Sequence, residues 1–278
     1  MQHNDHVTTR WHRCSRVGLQ GENLVYAVDW QRSYDLADNR PQLHVRFLNL
    51  KTDQDLVGFV RAWGPLWREI STHRGETEIS VARSRCWAFQ KRLKAALRLA
   101  QRARFDDAAS LKAPILEYVA ADDECHEQGP AGKPGEMGIT ADGLSLLYTG
   151  KPDRHPKEWI PNAPLSVLRK AATDCVGGNF GLTLYAAWKD GRLHYTWERV
   201  ISHLGQAIEL DLWNSLTGVR PVTICGECQT VFLPESAHPR KFCSYRCAHR
   251  VAMRMWRKNN AEGQRKMKRG KHAKAKKA

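Results

Sequence analysis

The spacing of four cysteines constrains this chain more than any other feature of its sequence. Cys225, Cys228, Cys243 and Cys247 form the pattern C-x2-C-x14-C-x3-C near the carboxyl end. Two short-spaced cysteine pairs on either side of a loop are typical of a structural zinc site, which four thiolates close completely. We therefore expect one structural Zn²⁺ with no open position for a substrate. The alternative is four core cysteines without a metal.

The residues between and after these cysteines predict a small finger. Gly226 eases the turn between the first pair, and residues 229–242 provide room for a short hairpin. Cys243 and Cys247 are four residues apart, so on a helix over 244–260 both sulfurs lie on one face. Knuckle, hairpin and helix in this order predict a treble-clef finger.

Four other side chains of the finger allow two interpretations each. His238 and His249 are either substitute metal ligands or surface groups that face a partner, and four cysteines already complete the shell. Tyr245 and Trp256 either stack on nucleic-acid bases or cover the small core. For both aromatic residues the core interpretation is favoured.

Positive charge is concentrated at the same end of the chain. Residues 240–278 carry fifteen Lys and Arg and a single acid, Glu262, a net charge of +14, whereas the remaining 239 residues sum to +1. This polarity indicates a polyanionic partner. The segment 265–278 contains no large apolar residue except Met267, so we expect a disordered basic tail over 261–278, either solubilising or nucleic-acid-binding.

The finger helix carries arginines at intervals of three and four residues, which places them on one face. Arginine binds phosphates and guanine edges through its bidentate fork, although such a face can also be merely solvated. No RNA-binding motif is visible, so DNA is favoured over RNA as the partner. The candidate contacts are Arg240, Lys241, Arg246, Arg250, Arg254, Arg257 and Lys258.

The stretch from Cys225 to Lys258 resembles the bacterial CGNR-type zinc fingers. It has C-x2-C, the aromatic Phe232, a basic pair before Phe242-Cys243-Ser244, and a basic helix. The namesake Cys-Gly-Asn-Arg corresponds to residues 247–250, which read Cys-Ala-His-Arg. The resemblance implies a larger, mostly helical upstream domain and a DNA-binding regulator of transcription.

The chain as a whole predicts an α+β protein in four parts. Residues 1–20 form a mobile terminus, 21–219 a mixed, mainly helical domain with short strands, 220–260 the finger, and 261–278 the tail. The upstream domain senses a ligand or forms a homodimer. The predicted upstream elements are strands at 23–30 and 43–48, helices at 52–63, 77–121, 164–176 and 200–216, a loop at 122–137, and a hairpin at 182–197.

Two upstream features leave a functional alternative open. Lys91, Lys94 and Arg98 oppose an apolar stripe on the 77–121 helix, as a solvated face or an extension of the anion-binding path. The run 122–127 collects acids with Cys125, but no spacing or activating partner indicates catalysis.

The sequence therefore favours a nucleic-acid-binding protein that is not an enzyme. The alternatives are a protein-interaction module with a purely structural finger, or a nucleic-acid-modifying enzyme whose catalytic residues lie unrecognised in the upstream domain. No apolar run of about 18 residues occurs, which argues against a membrane partner. The polar residues 1–16 lack the apolar stretch of a secretory signal, so we expect a cytoplasmic location.

Overall fold

The computed structural model of the protein describes residues 10–35, 42–67, 78–105, 108–127, 155–168, 170–171, 182–189, 192–199, 204–217, 222–235 and 240–275. The chain divides into two compact units, Met1–Gly218 and Val219–Ala278. We call the first the body unit and the second the finger unit. The predicted α+β class is confirmed, because helices and short antiparallel strand pairs occur together with a four-cysteine cluster.

A three-stranded antiparallel sheet begins the body unit. Its strands, in spatial order, are β1 (Arg10–Gln20), β2 (Asn23–Asp35) and β3 (Glu78–Ala82). Gly21 supplies the left-handed φ of 58° in the tight turn between β1 and β2. The expected mobile terminus over 1–20 is wrong for residues 10–20, because their backbone pairs with β2 despite their polar side chains. Residues 1–9 lie outside the described residues.

The first helix, α1 (Leu43–Leu48), replaces the strand predicted over 43–48, and that prediction is wrong. Leu43 and Phe47 are buried, as are His44 and Leu48, and each pair is four residues apart. This spacing puts all four side chains on one helical face. A six-residue segment is too short for periodicity to separate helix from strand.

The second helix, α2 (Asp53–Trp63), confirms its sequence prediction through a capping box. The Thr52 hydroxyl accepts a hydrogen bond from the Asp55 amide at 3.1 Å, and the Asp55 carboxylate accepts one from the Thr52 amide at 3.0 Å. The helix ends at Gly64, where φ is 89°. A Cβ atom at Gly64 would lie 2.2 Å from the carbonyl oxygen of His12, so only glycine fits this approach of β1.

A pair of long helices forms the centre of the body unit. These are α3 (Arg83–Phe105) and α4 (Lys112–Glu127), joined by a 3₁₀ turn at Ala108–Leu111. The helical prediction over 77–121 is confirmed for 83–105 and 108–121 and is wrong at β3, while residues 77 and 106–107 lie outside the described residues. The loop predicted over 122–137 is wrong for 122–127, and 128–137 lie outside the described residues. The predicted apolar stripe of α3 is buried; it consists of Cys86, Phe89, Leu93, Leu97 and Ala100.

The remaining described elements of the body unit follow the sequence pattern closely. The predicted hairpin forms from β4 (Leu182–Lys189) and β5 (Arg192–Arg199). A short helix, α5 (Pro156–Trp159), precedes helical residues at 165–168, and α6 (Leu204–Thr217) confirms the helix predicted over 200–216 in its described part. Of the helix predicted over 164–176, residues 169 and 172–176 lie outside the described residues.

The finger unit contains one short hairpin and one long helix. Strands β6 (Thr223–Ile224) and β7 (Val231–Phe232) pair across the first two cysteines, and α7 (Tyr245–Ala275) follows. The hairpin expected within 229–242 instead encloses the Cys225–Cys228 knuckle, because the backbone partner of β7 precedes the knuckle.

Helix α7 also corrects the expectation for the tail. It continues through residues 261–275, where the composition predicts disorder. Alanine, lysine, arginine and glutamine are strong helix formers, and no proline interrupts the segment. Local propensity therefore extends a helix that is already nucleated at the cysteines.

Candidate metal centre and basic helix

The four predicted cysteine ligands converge in the finger unit. Cys225 and Cys228 lie in the turn between β6 and β7, Cys243 lies just before α7, and Cys247 lies in its first turn. All four sulfurs are within 4.8 Å of one another, with 3.5 Å between Cys228 and Cys243 and 3.7 Å between Cys243 and Cys247. A tetrahedral zinc with Zn–S bonds of about 2.3 Å requires S–S separations of about 3.8 Å. The four-cysteine cluster can therefore hold one metal ion.

Backbone hydrogen bonds fix the knuckle that carries the first two sulfurs. The Cys225 amide donates to the Thr230 carbonyl at 2.9 Å, and the Gln229 amide donates to the Cys225 carbonyl at 3.0 Å. The left-handed residue of this turn is Gln229, with φ 59°. Gly226, which the sequence suggests as the turn residue, instead donates its amide to the Lys241 carbonyl at 3.1 Å.

Hydrogen bonds and burial shift the pKa values of the cluster's sulfurs in opposite directions. The Thr230 hydroxyl and amide both donate to Cys228 and lower its pKa to about 6. Burial acts to raise the pKa of Cys225, but backbone amides, including those of Cys228 and Cys243, lower it overall. Burial and the neighbouring sulfurs raise the pKa of Cys243 to about 12. Four thiolates at this spacing repel one another, and a bound dication removes that repulsion.

His249 is not part of this cluster. Among the described residues, the group that could hold a metal here consists of four cysteines alone. The His249 ring instead stacks on Tyr245, with ring centroids 5.8 Å apart and planes inclined by 17°. His238 lies outside the described residues.

Three of the predicted nucleic-acid contacts form a continuous surface on α7. Arg246, Arg250 and Arg257 are exposed and fall within about 40° of one another at 100° per residue. We call these three residues the arginine stripe. Lys241 and Lys258 are also exposed.

The other two predicted contacts form ion pairs inside the finger unit. The Arg254 guanidinium pairs with Glu227, whose side chain is only 13% exposed in the knuckle. Arg240 pairs with Glu235 at 3.4 Å. Arg254 therefore connects α7 to the turn that carries Cys225 and Cys228. It is engaged within the finger unit, so we do not count it in the arginine stripe.

The core interpretation of the finger aromatics is wrong. Tyr245 is 84% exposed and Trp256 is 60% exposed, and Met255 is exposed as well. Among the described residues of the finger unit, buried apolar side chains of the hairpin region include Val222, Ile224 and Val231. Tyr245 and Trp256 therefore lie outside the buried part of this unit.

The body unit contains a buried charge cluster that sequence reasoning missed. Arg92 has 4% of its side chain exposed and lies between Glu209 and Asp122, with 3.3 Å to the Asp122 carboxylate. Helical spacing places Arg92 between the basic face and the apolar stripe of α3. Its burial depends on acids that are distant in sequence. Asp122 is therefore an ion-pair partner in the core, and not part of an exposed catalytic loop.

The basic face of α3 is largely neutralised. Lys91 pairs with Glu124, and Arg98 pairs with Glu117 of the neighbouring α4. These pairs favour the solvated-surface interpretation over an extended anion-binding path.

A second polar cluster of the body unit combines residue types of a catalytic triad. His44 Nε2 lies 3.0 Å from the Ser215 hydroxyl, while His44 Nδ1 lies 4.0 Å from the Asp211 carboxylate. The second distance exceeds hydrogen-bond length, and His44 is buried. This cluster joins α1 to α6 without the carboxylate–imidazole hydrogen bond that orients a catalytic histidine.

Comparison with known protein families, with curated proteins and with solved structures finds no match to this chain. In the described part of the chain, no helix has the length and apolar character needed to cross a membrane.

Proposed function

We propose that the finger unit binds one structural Zn²⁺ through Cys225, Cys228, Cys243 and Cys247 and presents α7 to nucleic acid, with DNA as the principal partner. Sulfur donors in tetrahedral arrangement suit zinc among the common biological metals. The ion closes the site, so its role is to hold the knuckle against the first turn of α7.

The observation that carries the nucleic-acid proposal is the arginine stripe on a helix anchored at the cysteine cluster. Arg246 and Arg250 lie within the first two turns of α7, so the metal centre holds their backbone in place. Two acids of this unit, Glu227 and Glu235, pair with Arg254 and Arg240. The exposed arginines of the stripe can neutralise phosphates.

We extend the proposal to a regulator of transcription, which the resemblance to CGNR-type fingers supports. In this arrangement the finger unit supplies the DNA contact, and the body unit senses a ligand or forms a homodimer. Pooled-oligonucleotide capture with the full chain tests this extension, since a regulator enriches particular DNA sequences whereas a protein-interaction module retains none.

The salt dependence of binding tests the arginine stripe directly. The triple variant Arg246→Gln, Arg250→Gln, Arg257→Gln should bind a fluorescent DNA oligonucleotide more weakly in anisotropy titrations. Each lost phosphate contact reduces the magnitude of the negative slope of log K against log salt by about 0.9. Loss of all three contacts therefore reduces this magnitude by roughly 2 to 3.

A control triple variant in the body unit removes the same charge elsewhere. The slope should not change in the variant Lys91→Gln, Arg98→Gln, Lys157→Gln, because Lys91 and Arg98 already pair with acids of α4. Equal losses in both triple variants would mean that net charge alone drives binding, and no binding by the zinc-loaded protein at low salt would end the proposal.

A further inference from the structure

Three aromatic residues follow one face of α7 on the side away from the cysteines. Tyr245, His249 and Trp256 lie within about 40° of one another, and their mean direction is about 180° from Cys247 at 100° per residue. We call them the aromatic stripe. Their Cα atoms span about 16 Å along the helix axis at 1.5 Å per residue.

These rings are open to solvent. Tyr245 is 84% exposed and Trp256 60% exposed, and His249 is exposed as well. The Tyr245 and His249 rings already lie nearly parallel, inclined by 17°. A stacked pair of this kind offers an outer π-face to a further flat group.

Each member of the aromatic stripe directly precedes a member of the arginine stripe. The pairs are Tyr245-Arg246, His249-Arg250 and Trp256-Arg257. Because adjacent helical residues are about 100° apart around the axis, the two stripes run side by side along α7. The arginine stripe can bind phosphates, and the aromatic stripe beside it can stack on flat rings.

We propose that this double stripe binds single-stranded nucleic acid, with unpaired bases stacked on Tyr245 and Trp256 and phosphates held by the neighbouring arginines. In a duplex the base faces are covered by the next base pair, so aromatic side chains cannot reach them without unstacking. An unpaired base offers its π-face directly, and stacking accepts any base. The inference rests on the proposed nucleic-acid function and specifies its ligand.

The test compares an oligo-dT single strand with a duplex of the same length, using the full zinc-loaded chain. Trp256→Ala and Tyr245→Ala should each weaken single-strand binding by about 5- to 100-fold, the range of one base–aromatic stack. Duplex affinity should change by less than about twofold, because phosphate contacts dominate it. Trp256→Phe retains a stacking ring and should restore most of the single-strand affinity.

Met255→Ala is the matched control. Met255 is also large and exposed but lies about 100° from the centre of the aromatic stripe, so single-strand affinity should not change. Tryptophan fluorescence adds a direct readout, since quenching by oligo-dT should be smaller in Trp256→Phe than in the unaltered protein.

The outcomes separate this inference from the function on which it rests. Unchanged single-strand affinity in both alanine variants, or equal loss for single strand and duplex, overturns the stacking site while leaving nucleic-acid binding intact. A dimer that dissociates on Trp256→Ala in sedimentation, with oligo-dT affinity unchanged, shows that a second copy covers the stripe and also overturns it. Absence of salt-sensitive binding to both probes contradicts the proposed function itself.

Discussion

The two units of this chain achieve order by different physical means. The body unit has a conventional apolar core, in which Phe47, Phe89 and Leu97 are almost completely buried. The hairpin and first helical turns of the finger unit enclose only a few apolar side chains beside four sulfurs. Burial of apolar surface therefore stabilises the body unit, whereas the zinc ion that we propose would hold the elements of the finger unit together.

Loss of a metal ligand should produce the largest difference in folding between the two units. Cys243→Ser removes one of four sulfurs, and zinc sites of this type contribute about 10 kcal/mol or more to folding at neutral pH. We expect loss of zinc by elemental analysis and loss of amide protection from hydrogen exchange in residues 222–250. The exchange of α3 and α4 should stay as it is in the unaltered protein.

Cys86→Ala is the control for this change. Cys86 is buried in the body unit, and burial raises the pKa of its thiol to about 12, so it is not an available ligand. Zinc content should be unchanged in Cys86→Ala; if Cys243→Ser also retains full zinc, the ligand assignment is wrong.

A cavity in the core of the body unit should give the next largest effect. Here the body unit loses stability and the finger unit keeps its metal. Phe89→Ala removes a ring that contacts Phe47 at 5.5 Å and Trp67 at 5.6 Å between centroids. Such a truncation lowers the free energy of unfolding by about 3–5 kcal/mol. Urea denaturation followed by circular dichroism should show this loss, while zinc content stays stoichiometric. Loss of zinc at urea concentrations where α3 is still folded would show that the two units unfold separately. Loss of zinc and unfolding of α3 at the same urea concentration in every condition would contradict their independent stabilisation.

The smallest expected effect concerns one helix end of the body unit. Thr52→Ala removes the hydroxyl that caps α2 and should lower the free energy of unfolding by about 1 kcal/mol. Thr52→Ser retains the hydroxyl and should be close to the unaltered protein in the same urea titration. Equal destabilisation by both changes would show that the Thr52 methyl group, and not the cap, is responsible.

Local features of the sequence predicted local structure well. The Thr52 cap, the Asp190-Gly191 dipeptide, which is a hairpin signal in the sequence, and the spacing of the cysteines each act on neighbours a few residues away. Helix α2, the paired strands β4 and β5 and the sulfur cluster all form. Each of these signals has a chemical cause that acts within the segment itself. Such causes do not depend on where the rest of the chain lies.

The failures depend on partners that are distant in sequence. Residues 10–20 form a strand because β2 supplies backbone partners, and Arg92 is buried because Glu209 and Asp122 neutralise it. Neither of these facts can be read from the segment in which the residue occurs.

Because α7 is long, a small change in direction at the cysteine cluster produces a large displacement at its far end. Its 31 residues extend about 46 Å, and two of its described contacts with the rest of the finger unit, at Cys247 and at the Arg254–Glu227 pair, lie in its first three turns. A change of about 10° in the direction of the first turn displaces the far end by about 8 Å. Bond angles at the proposed zinc ion would thus set the direction of the helix, and a small distortion there would produce a displacement that grows along its length.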